Sequence, residues 1–242
     1  MTSTSSKVIA IFGAGPGLGM SMARRFGREG FAVALVSRTD ARHAGYRAEL
    51  AADGVESRSY AADVTDPAQV RDVLERVADE LGEIDTVYYG PAATNLGTSI
   101  VPLAEADAAA VRAPIESAML PAVDLVAEVL PPMLRRGAGA LLFGGGLSGL
   151  QPMPVLGSFA PASAALRMYV LTLAAAVRER GVYAAVLTIG GLIERGDIHR
   201  TLVEQGAQLP TLDPDEIAGT AWRMYLARDE TEAVFDAFTP AA

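Results

Sequence analysis

A glycine-rich stretch near the start of the chain has the spacing that phosphate binding requires. Residues 12–19 read F-G-A-G-P-G-L-G, and they follow the apolar run 7–13 and precede a segment with helical periodicity. In such a strand–turn–helix setting Gly13 permits the tight turn, Gly17 lets the backbone approach a pyrophosphate, and Gly19 lets the helix pack closely on the sheet. The helix N-terminus adds free amides and a partial positive charge. We therefore expect a dinucleotide site here rather than a plain flexible turn.

Short apolar runs alternate with helical segments along the whole chain. The runs are rich in Val, Ile, Leu, Tyr and Phe and show little polar alternation, which is typical of strands covered on both faces. Seven are predicted as strands: residues 7–13, 31–37, 55–63, 84–90, 139–145, 182–190 and 232–236. The segments between them carry apolar residues at three- and four-residue spacing. This alternation predicts a doubly wound α/β fold of the Rossmann type, with a seven-stranded parallel sheet in a single domain over residues 1–242.

Aspartates and prolines predict where individual helices begin or bend. Asp66-Pro67 and Asp213-Pro214 each combine an N-cap residue with a proline in the first turn, which is a good helix start. Pro114 and Pro121 fall inside a helical segment, and we expect a kink there because proline removes a helical hydrogen bond.

The composition excludes several classes of function. The chain has no cysteine, which rules out disulfides and thiol catalysis, and its two histidines, His43 and His199, lack the spacing of metal ligands. A formal net charge of −9 argues against nucleic acid as a partner. The longest apolar region contains Arg167 and three prolines, so no membrane span is expected. The polar start MTSTSSK is unlike a secretory signal, and we expect a cytoplasmic protein.

The Gly-xxx-Gly-x-Gly spacing, the seven-strand layout and the length together resemble the short-chain dehydrogenase/reductase family, over about residues 6–236. The resemblance implies a nicotinamide dinucleotide cofactor. Ser37-Arg38 stands where NAD-preferring members usually carry an acidic residue, and a hydroxyl beside a planar cation suits a 2′-phosphate. NADP(H) is therefore favoured over NAD(H), the alternative being an ordinary exposed arginine. The implied cofactor-binding residues are Gly13, Gly15, Pro16, Gly17, Leu18, Gly19, Ser37, Arg38, Asp63, Val64, Gly90, Ser163 and Ile193.

The same resemblance indicates that the usual catalytic side chains are missing. In the family a tyrosine at Tyr-x-x-x-Lys spacing protonates the alkoxide, the lysine lowers the pKa of that tyrosine and holds the nicotinamide ribose, and a serine and an asparagine complete the tetrad. The positions that correspond to serine, tyrosine, lysine and asparagine are Gly146, Phe159, Ser163 and Ala118.

Two residues are candidates to replace part of this chemistry. Ser148, in the loop after the fifth strand, is able to hydrogen-bond a carbonyl, although the alternative is that it only caps a turn. Tyr89, at the end of the fourth strand, is able to orient a ligand or donate a proton, although the alternative is packing in the core. Phe159 is expected to form an apolar wall for a ring, and Ser163 to reach the ribose hydroxyls or to face its own helix.

The loss of a positioned general acid lowers the reaction rate about 10²–10⁴-fold. The loss has the smallest effect on substrates from which hydride addition gives a stabilised anion. We therefore expect an atypical NADP(H)-dependent oxidoreductase. Its substrate is expected to be a small apolar or aromatic molecule such as a quinone, an enone or an iminium, or one that supplies its own proton. Two alternatives stay open. One is a non-redox protein of the same fold (an isomerase, cyclase, dehydratase or cofactor sensor), and the other is an inactive partner of an active paralogue.

Two further segments carry expectations about the lid and the assembly. Residues 194–212 lie where the family has a mobile substrate lid. The small-residue face of residues 156–180 resembles the helix through which family members dimerise, and it implies a homodimer or a homotetramer.

Overall fold

The structure is a computed structural model that describes residues 7–91 and 100–239. A seven-stranded sheet forms its centre. Its strands are β1 (Val8–Phe12), β2 (Ala32–Ser37), β3 (Ser57–Ala61), β4 (Ile84–Tyr89), β5 (Gly139–Gly146), β6 (Val182–Gly190) and β9 (Glu232–Asp236), and two short strands, β7 (Leu192–Ile193) and β8 (Thr211–Leu212), lie outside it. The order in the sheet is β3-β2-β1-β4-β5-β6-β9, and every neighbouring pair is parallel. All seven predicted strands are confirmed, and so is the doubly wound parallel sheet.

Helices cover both faces of this sheet. They are α1 (Leu18–Gly27), α2 (His43–Ala52), α3 (Pro67–Leu81), α4 (Ala108–Pro114), α5 (Leu120–Arg136), α6 (Phe159–Val177), α7 (Asp197–Glu204) and α8 (Pro214–Ala227). Helices α3, α5 and α6 contribute to the apolar cluster on one face, and α1, α2 and α8 contribute to the cluster on the other. The central strand β1 is fully buried, which explains its uninterrupted apolar sequence.

The predicted helix starts have the expected capping geometry. The Asp66 carboxylate accepts hydrogen bonds from the backbone amides of Ala68 and Gln69 at the start of α3. The Asp213 carboxylate accepts one from the amide of Asp215 at the start of α8. Each cap satisfies amides that have no partner within their own helix.

The two prolines between α4 and α5 mark a local change of helix type. Helix α4 ends at Pro114, a π-helical turn covers Ile115–Met119, and α5 begins at Leu120 with Pro121 in its first turn. Proline cannot donate a helical hydrogen bond, and a π-helical turn is one of the ways in which a helix absorbs that loss. The structure thus has a change of helix type where the sequence predicts a kink, and Ala118 lies within the π-helical turn.

The segment predicted as a lid has its own small framework. Strand β7 pairs with β8 in a two-stranded parallel sheet, and α7 lies between them. Two-residue strands leave too short a pattern for sequence periodicity to detect, so the sequence did not indicate this pairing. The ladder joins the two ends of the segment to each other.

Two long apolar helical stretches leave much of their surface outside the core. Ala108–Arg136 and Phe159–Arg180 are long and apolar enough to cross a membrane by length and composition, but each packs one face against the sheet. In the most apolar part of each, only 33% and 28% of the residues are buried. Leu120 and Met168, which are 43% and 57% exposed, lie on these outer surfaces.

An ion pair joins α6 to the last strand of the sheet. The Arg167 guanidinium donates to both carboxylate oxygens of Glu232, at 2.8 and 2.6 Å, and the Thr188 hydroxyl donates to the same carboxylate at 2.6 Å. The side chains of Arg167 and Glu232 are 20% and 16% exposed, so solvent screens the pair only partly. The contact with Arg167 is the main cause that lowers the pKa of Glu232.

We expect Glu232→Gln to lower the free energy of unfolding by about 1.5–3 kcal/mol at neutral pH, the range for hydrogen bonds to charged groups. Because the folded pKa of Glu232 is lowered, its contribution is fully present above the unfolded value near 4.5 and is lost as the pH falls through the folded pKa. Urea denaturation at several pH values should therefore show the variant approaching the wild type in acid. The exposed Glu230→Gln is the control, and a deficit independent of pH would contradict the role of the charge.

Candidate functional site

The predicted site residues gather where the order of the sheet reverses. Strands β1 and β4 are neighbours, and the chain leaves them toward opposite edges of the sheet, which creates a crevice at their carboxyl ends. Gly13 follows β1 and Gly90 follows β4, and the two are in direct contact. The Gly90 amide donates to the carbonyl oxygen of Phe12 at 2.8 Å. A Cβ atom on Gly13, whose φ is +106°, would lie 2.5 Å from the Gly90 carbonyl oxygen.

The other glycines of the loop differ in how much space a side chain would have. A Cβ on Gly19 would lie 2.4 Å from the carbonyl oxygen of Gly13, so this glycine allows α1 to pack on the loop itself. A Cβ on Gly17 would lie 3.1 Å from Ile193 Cγ2 and 3.2 Å from the Glu194 carbonyl oxygen, so the chain after β7 passes directly over it. For Gly15 the nearest atom is 3.9 Å away, so this position is open. The open position and the α1 N-terminus, which has no acidic residue in its first turn, form a cradle that fits a pyrophosphate.

The residues after β2 and β3 form the next part of the crevice. Ser37 Oγ donates to the Thr39 carbonyl oxygen at 3.0 Å and lies 2.7 Å from His43 Nε2. Since the single hydroxyl proton is used on Thr39, the ring nitrogen is the donor to Ser37. Burial lowers the pKa of His43, which keeps that ring neutral. Ser37 therefore cannot donate to a phosphate in this arrangement, and Arg38 is the member of the pair that can.

Arg38 and Asp63 lie close enough to influence each other. Hydrogen bonds from the Thr65 amide and hydroxyl, at 2.9 and 2.8 Å, lower the pKa of Asp63, and the positive charge of Arg38 lowers it further. The Asp63 backbone amide donates to Gln69 Oε1 at 3.0 Å, which fixes the loop that also carries Val64. The end of the site predicted to bind the 2′-phosphate thus has an exposed cation close to an ionised carboxylate.

Two arginines that the sequence analysis did not single out link the segment predicted as a lid, residues 194–212, to neighbouring elements. Arg42, in the loop after β2, lies 2.7 Å from Asp197 at the start of α7. Arg195 lies 2.8 Å from Asp215 and 3.2 Å from Asp213. Arg42 and Asp197 are 155 residues apart, Arg195 precedes Asp213 by 18 residues, and nothing in the local pattern distinguishes these three ion pairs from other surface charges. Together they hold residues 193–197 over the glycine loop.

Tyr89 and Ser148, the two residues predicted as candidates for catalysis, have different surroundings at the carboxyl ends of β4 and β5. Tyr89 is 2% exposed and donates its hydroxyl to the Ala118 carbonyl oxygen, at 3.0 Å, in the π-helical turn. Burial raises its pKa, so the phenol keeps its proton in the core. Ser148 lies in a 3₁₀ turn, Leu147–Gly149, and is 7% exposed. Its hydroxyl has no hydrogen-bond partner among residues 7–91 and 100–239. Within these residues there is therefore no hydrogen bond by which Ser148 would cap a turn.

Comparison with known proteins decides the family. The family model described as short chain dehydrogenase matches residues 7–207. The chain belongs to the short-chain dehydrogenase family. It is 29% identical over 224 residues to a 1-deoxy-11-beta-hydroxypentalenate dehydrogenase of Streptomyces exfoliatus, and this match covers 90% of the chain and 78% of that protein.

Solved structures with the same fold cover nearly the whole chain. A single-substitution variant of actinorhodin polyketide ketoreductase, solved with NADPH, gives a TM-score of 0.85 at 18% identity, over 98% of both chains. An apo short chain oxidoreductase from Pseudomonas aeruginosa PAO1, described as containing an atypical catalytic center, gives 0.83 at 19% identity over 98% of both chains. At these identities the likeness establishes the shared fold.

The fold brings together three of the four positions that we predicted to correspond to the tetrad. Gly146 ends β5, Phe159 is the first residue of α6, and Ser163 follows one helical turn later. A Cβ on Gly146 would lie 3.2 Å from Ser163 Oγ, so these positions are adjacent. Ala118 offers the site only its backbone carbonyl, which Tyr89 occupies. Arg167, further along α6, forms an ion pair with Glu232 on β9.

Proposed function

We propose that this protein is an atypical NADP(H)-dependent oxidoreductase that works without the family's Ser-Tyr-Lys-Asn tetrad. Two observations carry the proposal. The glycine loop has tight backbone contacts at Gly13, Gly17 and Gly19, and Phe159, at the position where the resemblance places the family's tyrosine, is half-buried. The bound nicotinamide cofactor supplies the hydride, and the chain positions the substrate. The dehydrogenase relative and the fold shared with an NADPH-bound ketoreductase support the redox assignment.

The missing acid limits which substrates react well. A simple ketone gives a strongly basic alkoxide on hydride addition, and that alkoxide needs the proton that a tyrosine–lysine pair delivers. A quinone, an enone or an iminium gives a stabilised product and needs no positioned acid, and a substrate with its own phenol supplies the proton itself. Phe159 offers an apolar surface to such a ring. We therefore propose small, apolar or aromatic substrates of this class.

The assembly follows from the outer surfaces of α5 and α6. Both helices expose apolar side chains, Leu120 and Met168 among them, and contiguous exposed apolar surface often marks a site of protein association. A second copy of the chain is the occupant that the family resemblance implies. We propose a homodimer or a homotetramer with α6 at its interface, and light scattering on the purified chain measures its mass.

We expect Arg38→Asp to weaken NADPH binding about 10–150-fold, because the change removes a charge-assisted hydrogen bond to the 2′-phosphate and adds a like charge. Calorimetric titration with NADPH, NADP⁺ and NADH measures this directly. The wild type should bind NADPH more tightly than NADH, and the variant should lose that preference.

Arg223→Asp is the matched control for this titration. Arg223 lies exposed on α8, and the substitution changes the net charge equally without touching the crevice. A wild type that binds NADH as tightly as NADPH would contradict the cofactor preference. A wild type that binds no nicotinamide nucleotide would contradict the proposed function and would favour the non-redox or partner alternatives.

A further inference from the structure

Two serine hydroxyls converge on the point where β5 ends. A Cβ atom on Gly146 would lie 3.2 Å from Ser163 Oγ and 3.5 Å from Ser148 Oγ. Both hydroxyls therefore border the space that a side chain at Gly146 would fill. Ser148 reaches it from the 3₁₀ turn after β5, and Ser163 reaches it from α6.

The Ser148 hydroxyl is the unusual member of this pair. It is 93% buried, as its exposed fraction is 7%, and it forms no hydrogen bond with any group in the described ranges 7–91 and 100–239. Buried hydroxyls in folded proteins nearly always have a partner, because an unpaired one costs stability. A hydroxyl without a partner next to Gly146, the position predicted to correspond to the family's catalytic serine, is therefore a candidate ligand contact.

The backbone around the pair fixes where the hydroxyls lie. A Cβ on Gly149 would lie 2.7 Å from the Ser163 carbonyl oxygen, so the 3₁₀ turn packs directly on the first turns of α6. A Cβ on Gly190 would lie 2.2 Å from a methyl group of Leu147, so the end of β6 packs against the same turn. The two donors are thus held on a packed scaffold, which is what a binding contact requires.

The chemistry of the surroundings selects the kind of oxygen that fits. Two neutral donors face the space, Phe159 lies half-buried at the start of the same helix, and the cation on α6, Arg167, is engaged by Glu232. A carboxylate or phosphate would meet no opposite charge from these groups. A carbonyl oxygen whose charge is delocalised over a conjugated system needs only hydrogen bonds.

We propose that Ser148 and Ser163 together bind one oxygen of a conjugated carbonyl substrate, a quinone or an enone. This proposal rests on the proposed function and narrows it, since an iminium has no such oxygen. As hydride from the reduced cofactor forms the new C–H bond, the displaced π-electron pair moves onto that oxygen, and a water proton then neutralises the product. The serines share their protons with the oxygen throughout and keep them, so the substrate gains one hydride and one proton and the cofactor leaves oxidised.

The test uses para-nitrophenol as a stable mimic of the charged oxygen, on the full chain saturated with NADP⁺ so that no turnover occurs. The absorbance of the bound phenolate reports both binding and ionisation. The wild type should bind the phenolate and lower the pH midpoint of its ionisation. Ser148→Ala and Ser163→Ala should each raise the dissociation constant about 10–150-fold, the effect of one hydrogen bond to a charged acceptor. Nitrobenzene, which lacks the oxygen, should bind all three proteins alike.

The controls separate this proposal from a structural role. Thr172→Ala removes a hydroxyl from the exposed side of α6 and should leave phenolate binding unchanged. Ser148→Ala should leave the melting temperature unchanged or raise it by about 2–4 °C, because it removes a buried hydroxyl that lacks a partner. A lower melting temperature would mean that the hydroxyl holds the fold together and would overturn the proposal.

Calorimetry with NADPH on the same variants distinguishes the remaining outcomes. Unchanged NADPH affinity in Ser148→Ala, with weaker phenolate binding in both alanine variants than in the wild type, supports the pair. If NADPH binds but the phenolate does not, or if both alanine variants bind the phenolate as tightly as the wild type, the two serines do not form an oxygen site. The proposed cofactor site would still be supported in that case. If Ser163→Ala weakens NADPH instead of the phenolate, Ser163 is a ribose contact and the pair is also wrong. If no nicotinamide nucleotide binds, the proposed function itself fails.

Discussion

Replacing Gly13 with alanine is expected to lower the free energy of unfolding by about 2–5 kcal/mol and to abolish cofactor binding with it. The backbone at Gly13 has a φ of +106°, a conformation that costs an L-residue about 1–2 kcal/mol. The added Cβ would lie 2.5 Å from the Gly90 carbonyl oxygen and 2.7 Å from the Pro91 nitrogen, and overpacking of this kind costs about 1–3 kcal/mol. Both neighbours are backbone atoms, so relief requires β1 and β4 to separate. Urea denaturation measures the loss.

Gly15→Ala is the matched control, since it adds the same methyl group two residues away. The nearest atom to a Cβ there is 3.9 Å distant, so the free energy of unfolding should change by no more than about 0.5 kcal/mol. Equal losses in both variants would show that loop composition alone sets stability and would contradict the contact between β1 and β4. A loss at Gly13 alone would tie the glycine spacing to the architecture of the crevice.

The sequence predicted the sheet well because its signals are local and redundant. Strands such as Val8–Phe12 are short and wholly apolar, and this one is followed directly by glycine, so the pattern is recognisable without knowledge of the neighbouring strands. The edge strand Ser57–Ala61 was predicted longer than it is, and only one of its five side chains is buried. The two-residue strands β7 and β8 carry no periodicity, and their pairing depends on how the lid segment returns to the sheet.

The site was predictable only where a role depends on backbone spacing. The glycine loop acts through turn geometry and close approach, and these follow from residue type and position. The surroundings of Ser148 depend instead on a 3₁₀ turn that packs against α6, a contact between segments that no local pattern encodes. Tyr89 finds its acceptor because the π-helical turn presents the Ala118 carbonyl, and the hydroxyl of Ser37 is taken by Thr39. Hydrogen-bond partners of this kind are decided by the tertiary fold.

Restoring the family's groups should create activity toward simple ketones. We expect the triple variant Gly146→Ser, Phe159→Tyr, Ser163→Lys to reduce a simple ketone about 10²–10⁴-fold faster than the wild type, the range for adding a positioned general acid. Gly146 and Ser163 are adjacent across the end of β5, and Phe159 begins the helix that carries Ser163, so the three new side chains would face one space. The new serine Cβ would crowd only the Ser163 hydroxyl, at 3.2 Å, and the third substitution removes that hydroxyl. NADPH oxidation with cyclohexanone as substrate measures the gain.

The double variant that keeps Phe159 is the control, because it lacks the phenol and should gain nothing. Quinone reduction gives the complementary result. The triple variant loses the Ser163 hydroxyl, and a stabilised product has little use for an added acid, so its quinone turnover should not rise above that of the wild type. A wild type that already reduces simple ketones as fast as quinones would mean that another group in this chain acts as the acid. In that case the replacement of the tetrad side chains would not determine the substrate class, and the proton donor would be one of the residues that contact the bound ketone.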